Sequence, residues 1–529
     1  MFIGRKILYA DVEKITYDNV LGVVRKAYSE YQVNISDINY LLDFDAGIQP
    51  LQRKEPKKYR PDIDCTCIDN VAHEVVEFKL GFDWGNPITL VQRGEKDSGT
   101  QEESLAISLL NECYDAENNK SKTQKLARFI EICGIGYTYI ETRKKDEWQD
   151  GDSYFSLSVL DPRYAFVVYS SHYIDQRPML GVTFRHDSAT GNNYFTCYSK
   201  DRRYEILNLQ EVINGNTVED NKQWQHYIRS GEENPLGKIP ITEYIRSYDR
   251  TGAFEHQISE MNNLNLLLSD FTNDVEQNTQ AIWHTNDVDF PTETVKLEDG
   301  TEKEVVKKPK GGEWMQTYTP QDGKTPIVEA LAINYDYEGM LNNIQRARAR
   351  ILQKCDVPQR NDNSGGSTGV AMDSATGWNA AENAANKKQS IIEGCKMQEV
   401  DVVLAAIRNS DVIAKDNPML KLCRIDIQPS IKRQKNYELT TKINFFATAI
   451  THGIYGLHAL RQMNAFEDVN QVWEDSRPLI EAYQRSIFEK SNANQAEGGE
   501  GEQKPNSDRL EQDLSDQIEN SPQIDSDRS

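Results

Sequence analysis

The sequence predicts an α+β fold, and three observations support that class. Apolar residues recur at helical spacing toward both ends of the 529-residue chain. Residues 136–230 consist of short β-branched and aromatic runs broken by turn residues, which is typical of an antiparallel meander. Eight scattered cysteines are too few for a disulfide framework, and no stretch approaches the roughly 18 apolar residues of a membrane span. The length of the chain predicts several domains. Because the first residues lack a signal-peptide pattern, we expect the chain to be made in the cytosol.

The elements are expected in a defined order. Helical segments within residues 11–45, 65–82, 102–118 and 121–133 precede the meander, which a turn at 234–240 closes. Apolar residues then step by three or four positions, which predicts one helix over 254–283 of about 45 Å, at 1.5 Å per residue. The remaining elements are a charged hairpin with an Asp-Gly turn at 295–318, a helix at 333–354, a loop with four glycines at 361–377, an Ala-rich helix at 378–410, and a strand and helices to about 490.

Charge is distributed unevenly along the chain. Its formal net charge of −23 argues against a broad basic face that grips nucleic acid. Residues 251–295 contain eight acids and no Lys or Arg, yet their apolar periodicity indicates an ordered helix. Residues 492–529 carry a net charge of −7 and are rich in Gly, Ser, Asn and Gln, so we expect this tail to be disordered.

No pattern of residues predicts catalysis. The glycines at 365–369 lack the Lys beside Ser or Thr that a phosphate-binding loop requires. His73-Glu74-x-x-Glu77 has Glu in place of a second zinc-binding histidine, and Cys65-x-Cys67 lacks the spacing of a zinc ribbon. Asp pairs at 62/64 and 287/289 are candidate ligands of a divalent ion, although solvated turns use such pairs more often. We therefore predict no enzyme, no metal and no cofactor.

The order of elements and several local matches resemble the portal proteins of tailed bacteriophages, of the type found in phages of Gram-positive bacteria. The most specific matches are Asn234-Pro235-Leu236-Gly237-Lys238-Ile239-Pro240 and Arg250-Thr251-Gly252-Ala253-Phe254-Glu255. The others are Gly85-Asn86-Pro87-Ile88, Gly136-Tyr137-Thr138-Tyr139, Asp161-Pro162 before Val167-Val168-Tyr169, and Ser367-Thr368-Gly369-Val370-Ala371. The resemblance implies a ring, usually a homododecamer, at one capsid vertex, with a channel through which double-stranded DNA is packaged and ejected.

The resemblance also implies a division of the chain into named domains. The wing would consist of residues 1–253, the long helix 378–410 and the return 411–452. The two stem helices would be 254–283 and 333–357. Residues 284–332 would be the clip, 358–377 the tunnel loop and 453–491 the crown, followed by the acidic tail.

Two groups of candidate residues lie in this stem. Each cation on a channel wall would add a salt-dependent contact to DNA, so a first stem helix without cations suits a wall along which DNA slides. Arg346 and Arg350 share a face of the second stem helix and are predicted to pair with acids of the adjacent subunit, whereas Arg348 is expected to reach the channel. The apolar stripe of the first helix is expected to face neighbouring stem helices. The predicted acidic lining is Glu260, Asp270, Asp274 and Glu276.

The tunnel loop and the clip carry the remaining candidates. The loop is small and glycine-rich, so it changes conformation at low cost and is expected to contact DNA without an ionic grip. Its residues are Asn363, Ser364, Gly365, Gly366, Ser367, Thr368 and Gly369. Lys303, Lys307 and Lys308 give the clip a mixed-charge docking surface, with Trp314 either an anchor for a partner or a packed hairpin residue.

The partners follow from the resemblance. Because the chain has no ATP-binding motif, packaging would need a separate ATPase, the terminase large subunit. The resemblance further implies a head–tail adaptor, the major capsid and scaffolding proteins, no membrane, assembly in the host cytoplasm and a place in the virion. The alternatives are another oligomeric head or adaptor protein and, with less support, a metal-dependent nuclease using the Asp pairs.

Overall fold

The computed structural model describes residues 4–53, 63–93, 101–172, 176–189, 191–207, 228–279, 282–286, 292–296, 302–306, 327–331, 336–359, 377–433 and 439–454, with scattered residues between 456 and 482. The chain divides into two compact units, Met1–Gln434 and Lys435–Ser529. Their boundary lies within the predicted wing return, 411–452. The domain division itself stays a prediction.

The described part of the first unit contains seven α-helices. They are α1 Val20–Asp45, α2 Val71–Asp83, α3 Gln101–Ala116, α4 Asn119–Cys133, α5 Ile258–Thr279, α6 Tyr337–Lys354 and α7 Trp378–Arg408. In the second unit, α8 spans Leu439–Thr451. α7 agrees with the predicted Ala-rich helix, whereas α1 begins nine residues later than the segment predicted from residue 11.

The strands of the first unit complete the α+β fold that the sequence predicts. They are β1 Leu8–Ala10, β2 Thr89–Gln92, β3 Ile135–Thr142, β4 Phe155–Leu160, β5 Ala165–Ser170, β6 Pro178–Asp187, β7 Asn192–Tyr198, β8 Arg202–Leu207, β9 Ile228–Glu233, β10 Ile241–Ile245, β11 Ile282–Asn286, β12 Thr292–Lys296, β13 Glu302–Val306, β14 Ile327–Leu331 and β15 Ile427–Ser430.

The predicted single meander is wrong, because its strands divide between two sheets. The larger sheet has the order β1-β5-β6-β7-β8-β9, with β1 parallel to β5 and the other pairs antiparallel. β3 and β4 instead join β10 in a three-stranded sheet of order β10-β3-β4. Residues 135–138 of β3 are all buried, so the first half of this strand has no solvent face of the kind a one-sided meander strand shows.

Aromatic side chains join α1 to the larger sheet. The Tyr31 ring lies 4.9 Å from the Phe166 ring, and the Tyr28 ring lies 4.9 Å from the Phe195 ring, measured between centroids. Edge-to-face and offset contacts of this kind add to the gain from burying apolar area. The main hydrophobic core therefore lies between α1 and the sheet and extends to α4 and α5.

α5 is shorter than the helix predicted over 254–283. Phe254 is fully buried and stacks on Phe44 with 5.8 Å between ring centroids, so the chain turns before the helix begins at Ile258. At the other end, residues 282–286 form β11, which pairs with β14. The 22 residues of α5 span about 33 Å at 1.5 Å per residue. β-branched and aromatic residues such as Ile282 and Trp283 favour the strand.

The predicted charged hairpin is present with different bounds. β12 and β13 pair antiparallel, with Val295 opposite Lys303, on either side of the Asp-Gly sequence at 299–300. α6 begins at Tyr337 instead of residue 333, because the Asp336 carboxylate caps it by accepting a hydrogen bond of 2.8 Å from the Gly339 N–H. Both strand pairs, β11 with β14 and β12 with β13, lie between α5 and α6 in the chain.

Candidate functional site

α5 and α6, here called the helix pair, pack against each other through apolar side chains. Ile258, Met261 and Leu264 of the predicted stripe are buried in the same core as Ile344 and Ile351 of α6. The Phe271 and Tyr337 rings meet edge to face, 6.0 Å apart. The apolar stripe of α5 is thus buried against a helix of its own chain. Contact with other subunits is not required to explain that burial.

The exposed face of α5 is mixed in character. Leu266 is 40% exposed and Leu267 is 38% exposed, so two adjacent apolar side chains lie on this face. Asp270 is exposed on the same face and Asp274, one turn later, lies at its border. No Lys or Arg occurs anywhere in this helix. The face is therefore acidic and partly apolar.

The four predicted lining acids do not share one face. Asp270 and Asp274 belong to the exposed face just described. Glu260 turns to α6, where its carboxylate pairs with the Lys354 ammonium and lies 3.8 Å from the Arg350 guanidinium. Glu276 turns to the opposite side, where the Cys65 thiol donates to its Oε2 at 3.6 Å. Within the chain, therefore, two of the four acids, Asp270 and Asp274, lie on the exposed face of α5.

The arginines of α6 also separate into two groups. Arg346 and Arg350 lie on the exposed face, one turn apart, as predicted, and the Arg350 side chain is 68% exposed. Arg348 instead pairs with the carboxylates of Asp69, at 2.8 Å, and Glu74. Within the chain, Asp69, which precedes α2, and Glu74, which lies in α2, hold the Arg348 guanidinium. That Arg348 reaches a channel stays a prediction.

A row of polar side chains along α5, here called the side-chain ladder, binds an extended segment of the first unit. The Cys65 N–H donates to Asn273 Oδ1 at 2.8 Å, and Asn273 Nδ2 donates back to the Cys65 carbonyl at 3.2 Å. One turn earlier, Ser269 Oγ accepts from the Cys67 N–H at 2.9 Å. The ladder satisfies backbone groups of a segment that has no β-strand partner there.

The third rung extends the ladder toward α1. Asn265 Oδ1 accepts from the Asp69 N–H at 3.0 Å, while its amide nitrogen donates to the Gln49 side chain. Gln49 in turn donates to the Phe44 carbonyl, at 3.3 Å, at the end of α1. Sequence reasoning missed this ladder, although Asn265, Ser269 and Asn273 follow one another at intervals of four residues, which places them on one side of the helix.

The match Arg250-Thr251-Gly252-Ala253-Phe254-Glu255 forms the junction between the sheets and α5. The buried Glu255 carboxylate pairs with the Arg5 guanidinium at 2.5 Å and accepts from the Gly252 N–H at 2.8 Å. Arg250, at a φ of +55°, donates to the Glu243 carboxylate at 2.7 Å. The packing and ion pairs of this motif thus fix the position from which α5 begins within the first unit.

Two glycines are required at this junction because backbones touch there. A Cβ at Gly134 would lie 2.2 Å from the Arg250 carbonyl oxygen, and one at Gly252 would lie 2.2 Å from the Ile132 carbonyl oxygen. Real Cβ atoms do not approach backbone this closely, so a side chain at either position would separate α4 from the junction.

Glu131 of α4 is a fully buried carboxylate at the centre of a charged network. It accepts from the Trp84 indole N–H at 2.8 Å and from Arg246 at 3.0 Å, and pairs with Lys388 of α7. Burial alone would raise the pKa of this carboxyl, but Lys388 and Arg246 lower it to about 2. Glu131 is therefore ionised at neutral pH and ties together three remote parts of the chain.

Several predicted site residues lie outside the described residues. These are the seven tunnel-loop residues 363–369, the clip residues Lys307, Lys308 and Trp314, and three of the four candidate metal-binding aspartates, Asp62, Asp287 and Asp289. For Lys303 the structure describes the backbone alone, in β13 opposite Val295. The flanks of the tunnel loop are described, and a Cβ built on Gly377 would lie 3.8 Å from Pro358 Cα. The first and last residues of the predicted tunnel loop, Pro358 and Gly377, are therefore adjacent in space.

The described residues offer no site for a metal ion, since no group of three or more His, Cys, Asp or Glu is gathered among them. His73, part of the zinc-like motif, instead contacts the Asp45 carboxylate at 3.2 Å. None of the helices in the described ranges has the length and apolar character needed to cross a membrane.

Comparison with known families agrees with the class that the element order predicts, the phage portal proteins. The family described as phage portal protein, SPP1 Gp6-like, matches residues 17–471. The match covers most of the chain, so this chain belongs to that family, and its role is in packaging the phage genome. No curated protein matches the sequence.

Proposed function

We propose that copies of this chain form a closed ring, with the helix pair of each copy contacting the next. The observation that carries the proposal is the opposite charge of the two exposed faces. α5 presents Asp270 and Asp274 without any cation, and α6 presents Arg346 and Arg350. In this proposal the α5 face of each copy meets the α6 face of the next, which is a head-to-tail contact whose repeated rotation closes into a ring. The family resemblance implies twelve copies.

The exposed leucines of α5 fit the same contact. A ring neighbour that covers Leu266 and Leu267 removes apolar surface from water, at about 25 cal/mol per Å². The arginines of that neighbour would pair with part of the acidic face. The remainder of the face, which has no Lys or Arg, would then line the channel and let the phosphate backbone of double-stranded DNA pass without holding it.

The proposal extends to residues outside the described ranges. Residues 363–369 would contact DNA in the channel, which is supported by the meeting of Pro358 and Gly377 at the base of the loop. The clip, with Lys303, Lys307, Lys308 and Trp314, would dock the terminase large subunit during packaging and the head–tail adaptor afterwards. Assembly with scaffolding and major capsid proteins in the host cytoplasm would place the ring at one capsid vertex, from which DNA is later ejected.

Negative-stain electron microscopy of the purified chain tests the ring. We expect turbine-shaped particles with a central hole, because head-to-tail contacts between identical copies close around an axis. Particles that stay monomeric as the protein concentration is raised would contradict the proposal, and so would compact oligomers without a hole.

A further inference from the structure

A cavity of about 540 Å³ lies in the first unit, where both sheets meet α7. Its floor is apolar and consists of the buried side chains of Val167, Ile239, Ile241 and Val402. The volume lies within the range of about 300–1,000 Å³ that small-ligand and side-chain pockets occupy. The helix pair does not contribute to this cavity, so its role is separate from the proposed ring contact.

The rim of the cavity is cationic in a chain that is strongly acidic. Four basic side chains line it, against two acidic ones, and the four are Arg177, Lys200, Lys238 and Arg424. The Glu243 carboxylate is already bonded to Arg250 and to the Tyr169 hydroxyl, each at 2.7 Å. The Asp401 carboxylate pairs with Arg424 at 2.7 Å and Lys238 at 3.6 Å. Positive charge is therefore in excess at the rim.

We propose that this cavity binds a short acidic peptide segment of a partner protein, with an apolar side chain on the floor and carboxylates on the rim. An acidic segment with interspersed leucines complements the cavity in two ways. Its carboxylates are attracted to the cationic rim, and a leucine side chain packs on the apolar floor. A nucleic acid fits less well, because it needs a long row of cations along its phosphates.

Fluorescence anisotropy with a fluorescein-labelled peptide, Glu-Glu-Leu-Glu-Glu-Leu-Glu-Glu, tests the site on the full chain. We expect saturable binding that weakens as NaCl is raised, because the rim charges are solvent-exposed and screened. The double variant Lys200→Glu/Lys238→Glu should weaken binding about tenfold. An octaglutamate peptide, which has no side chain for the apolar floor, should bind more weakly than the leucine-containing peptide to the unmodified chain.

A matched double variant, Lys120→Glu/Lys125→Glu, controls for net charge, because both lysines are exposed on α4. It should bind the peptide as the unmodified chain does. Equal weakening by both double variants would overturn the site, and so would the absence of saturable binding to the unmodified chain. Equally tight binding of a single-stranded oligonucleotide that displaces the peptide would assign the cavity to nucleic acid and overturn the proposal.

Discussion

At the scale of single residues, buried carboxylates hold remote parts of the first unit together. Glu131, Glu243 and Glu399 are each nearly or fully buried. Glu399 accepts from the Lys396 ammonium at 2.6 Å and from the Tyr244 hydroxyl at 2.8 Å, and Glu243 is bonded to Arg250. A charge is costly to bury unless it is paired and hydrogen-bonded. Each of these carboxylates is therefore stable in the interior only when all the segments that supply its partners are folded around it.

Replacing Glu131 by Gln should lower the free energy of unfolding by about 3 kcal/mol at neutral pH, because Arg246 loses this carboxylate and Lys388 is left with that of Asp83. Folding lowers the pKa of this carboxyl from 4.5 to about 2, so its contribution is fully present above pH 4.5 and is lost as the pH falls toward 2. Urea unfolding of wild type and variant from pH 7 to 3 measures this, and the difference should narrow with acid.

Glu147→Gln is the matched control, because Glu147 is exposed on a turn. It should change the free energy of unfolding by no more than about 0.5 kcal/mol. A Glu131→Gln variant as stable as this control would show that the buried network contributes nothing to stability.

At the scale of elements, the side-chain ladder shows how a helix binds an extended segment without a β-sheet. Four residues of a helix rise about 6 Å, and two residues of an extended chain about 6.6 Å. Side chains at 265, 269 and 273 therefore meet alternate backbone N–H groups of residues 65–69. Over three rungs the two repeats stay nearly in step.

The variant Asn273→Ala should destabilise the first unit by about 1–3 kcal/mol, because the Cys65 N–H and carbonyl lose their partners. Hydrogen exchange should be faster at the Cys65 amide. Asn263→Ala on the exposed face of α5 is the control; it should raise stability by about 0.5 kcal/mol through helix propensity and leave exchange at Cys65 unchanged. Unchanged protection of Cys65 in Asn273→Ala would mean that the ladder does not secure the segment.

At the scale of the whole molecule, the segregation of charge on the helix pair matters more than the net value of −23. The exposed face of α5 has no cation, and that of α6 has Arg346 and Arg350. Ion pairs within one chain neutralise little of the charge on these two exposed faces. Arg350 lies 3.8 Å from Glu260, but its exposure makes that pair weak. The faces are therefore suited to attract another copy.

Charge reversal by Arg346→Glu/Arg350→Glu should reduce the yield of rings while leaving the monomer folded, because both side chains are exposed. Size-exclusion chromatography with light scattering measures the ring fraction, and circular dichroism measures the fold. Lys144→Glu/Lys145→Glu, which changes charge equally at exposed positions away from the helix pair, is the control and should assemble normally. Rings at normal yield from the arginine variant would refute the proposed contact.

Much of the fold could be predicted because periodicity reports which face of an element is buried. The stripe from Ile258 to Phe271 correctly predicted α5, and the Asp-Gly hairpin was found close to its predicted place. The end of α5 at Thr279 could not be predicted, since pairing of β11 with the distant β14 decides it. The acids of the candidate lining were found by composition, but composition does not show that Glu260 and Glu276 turn away from Asp270.

By itself, the sequence determined the α+β class, the order of elements, the cation-free helix and the resemblance to phage portal proteins, because each depends on local spacing and composition. The tertiary structure decided that the meander divides into two sheets, that Arg348 binds Asp69 and Glu74, and that Asn265, Ser269 and Asn273 hold residues 65–69. These features depend on partners up to 279 positions away in the chain. The local sequence pattern does not predict such distant pairings. They form only when the first unit as a whole buries its apolar side chains and pairs its buried polar groups.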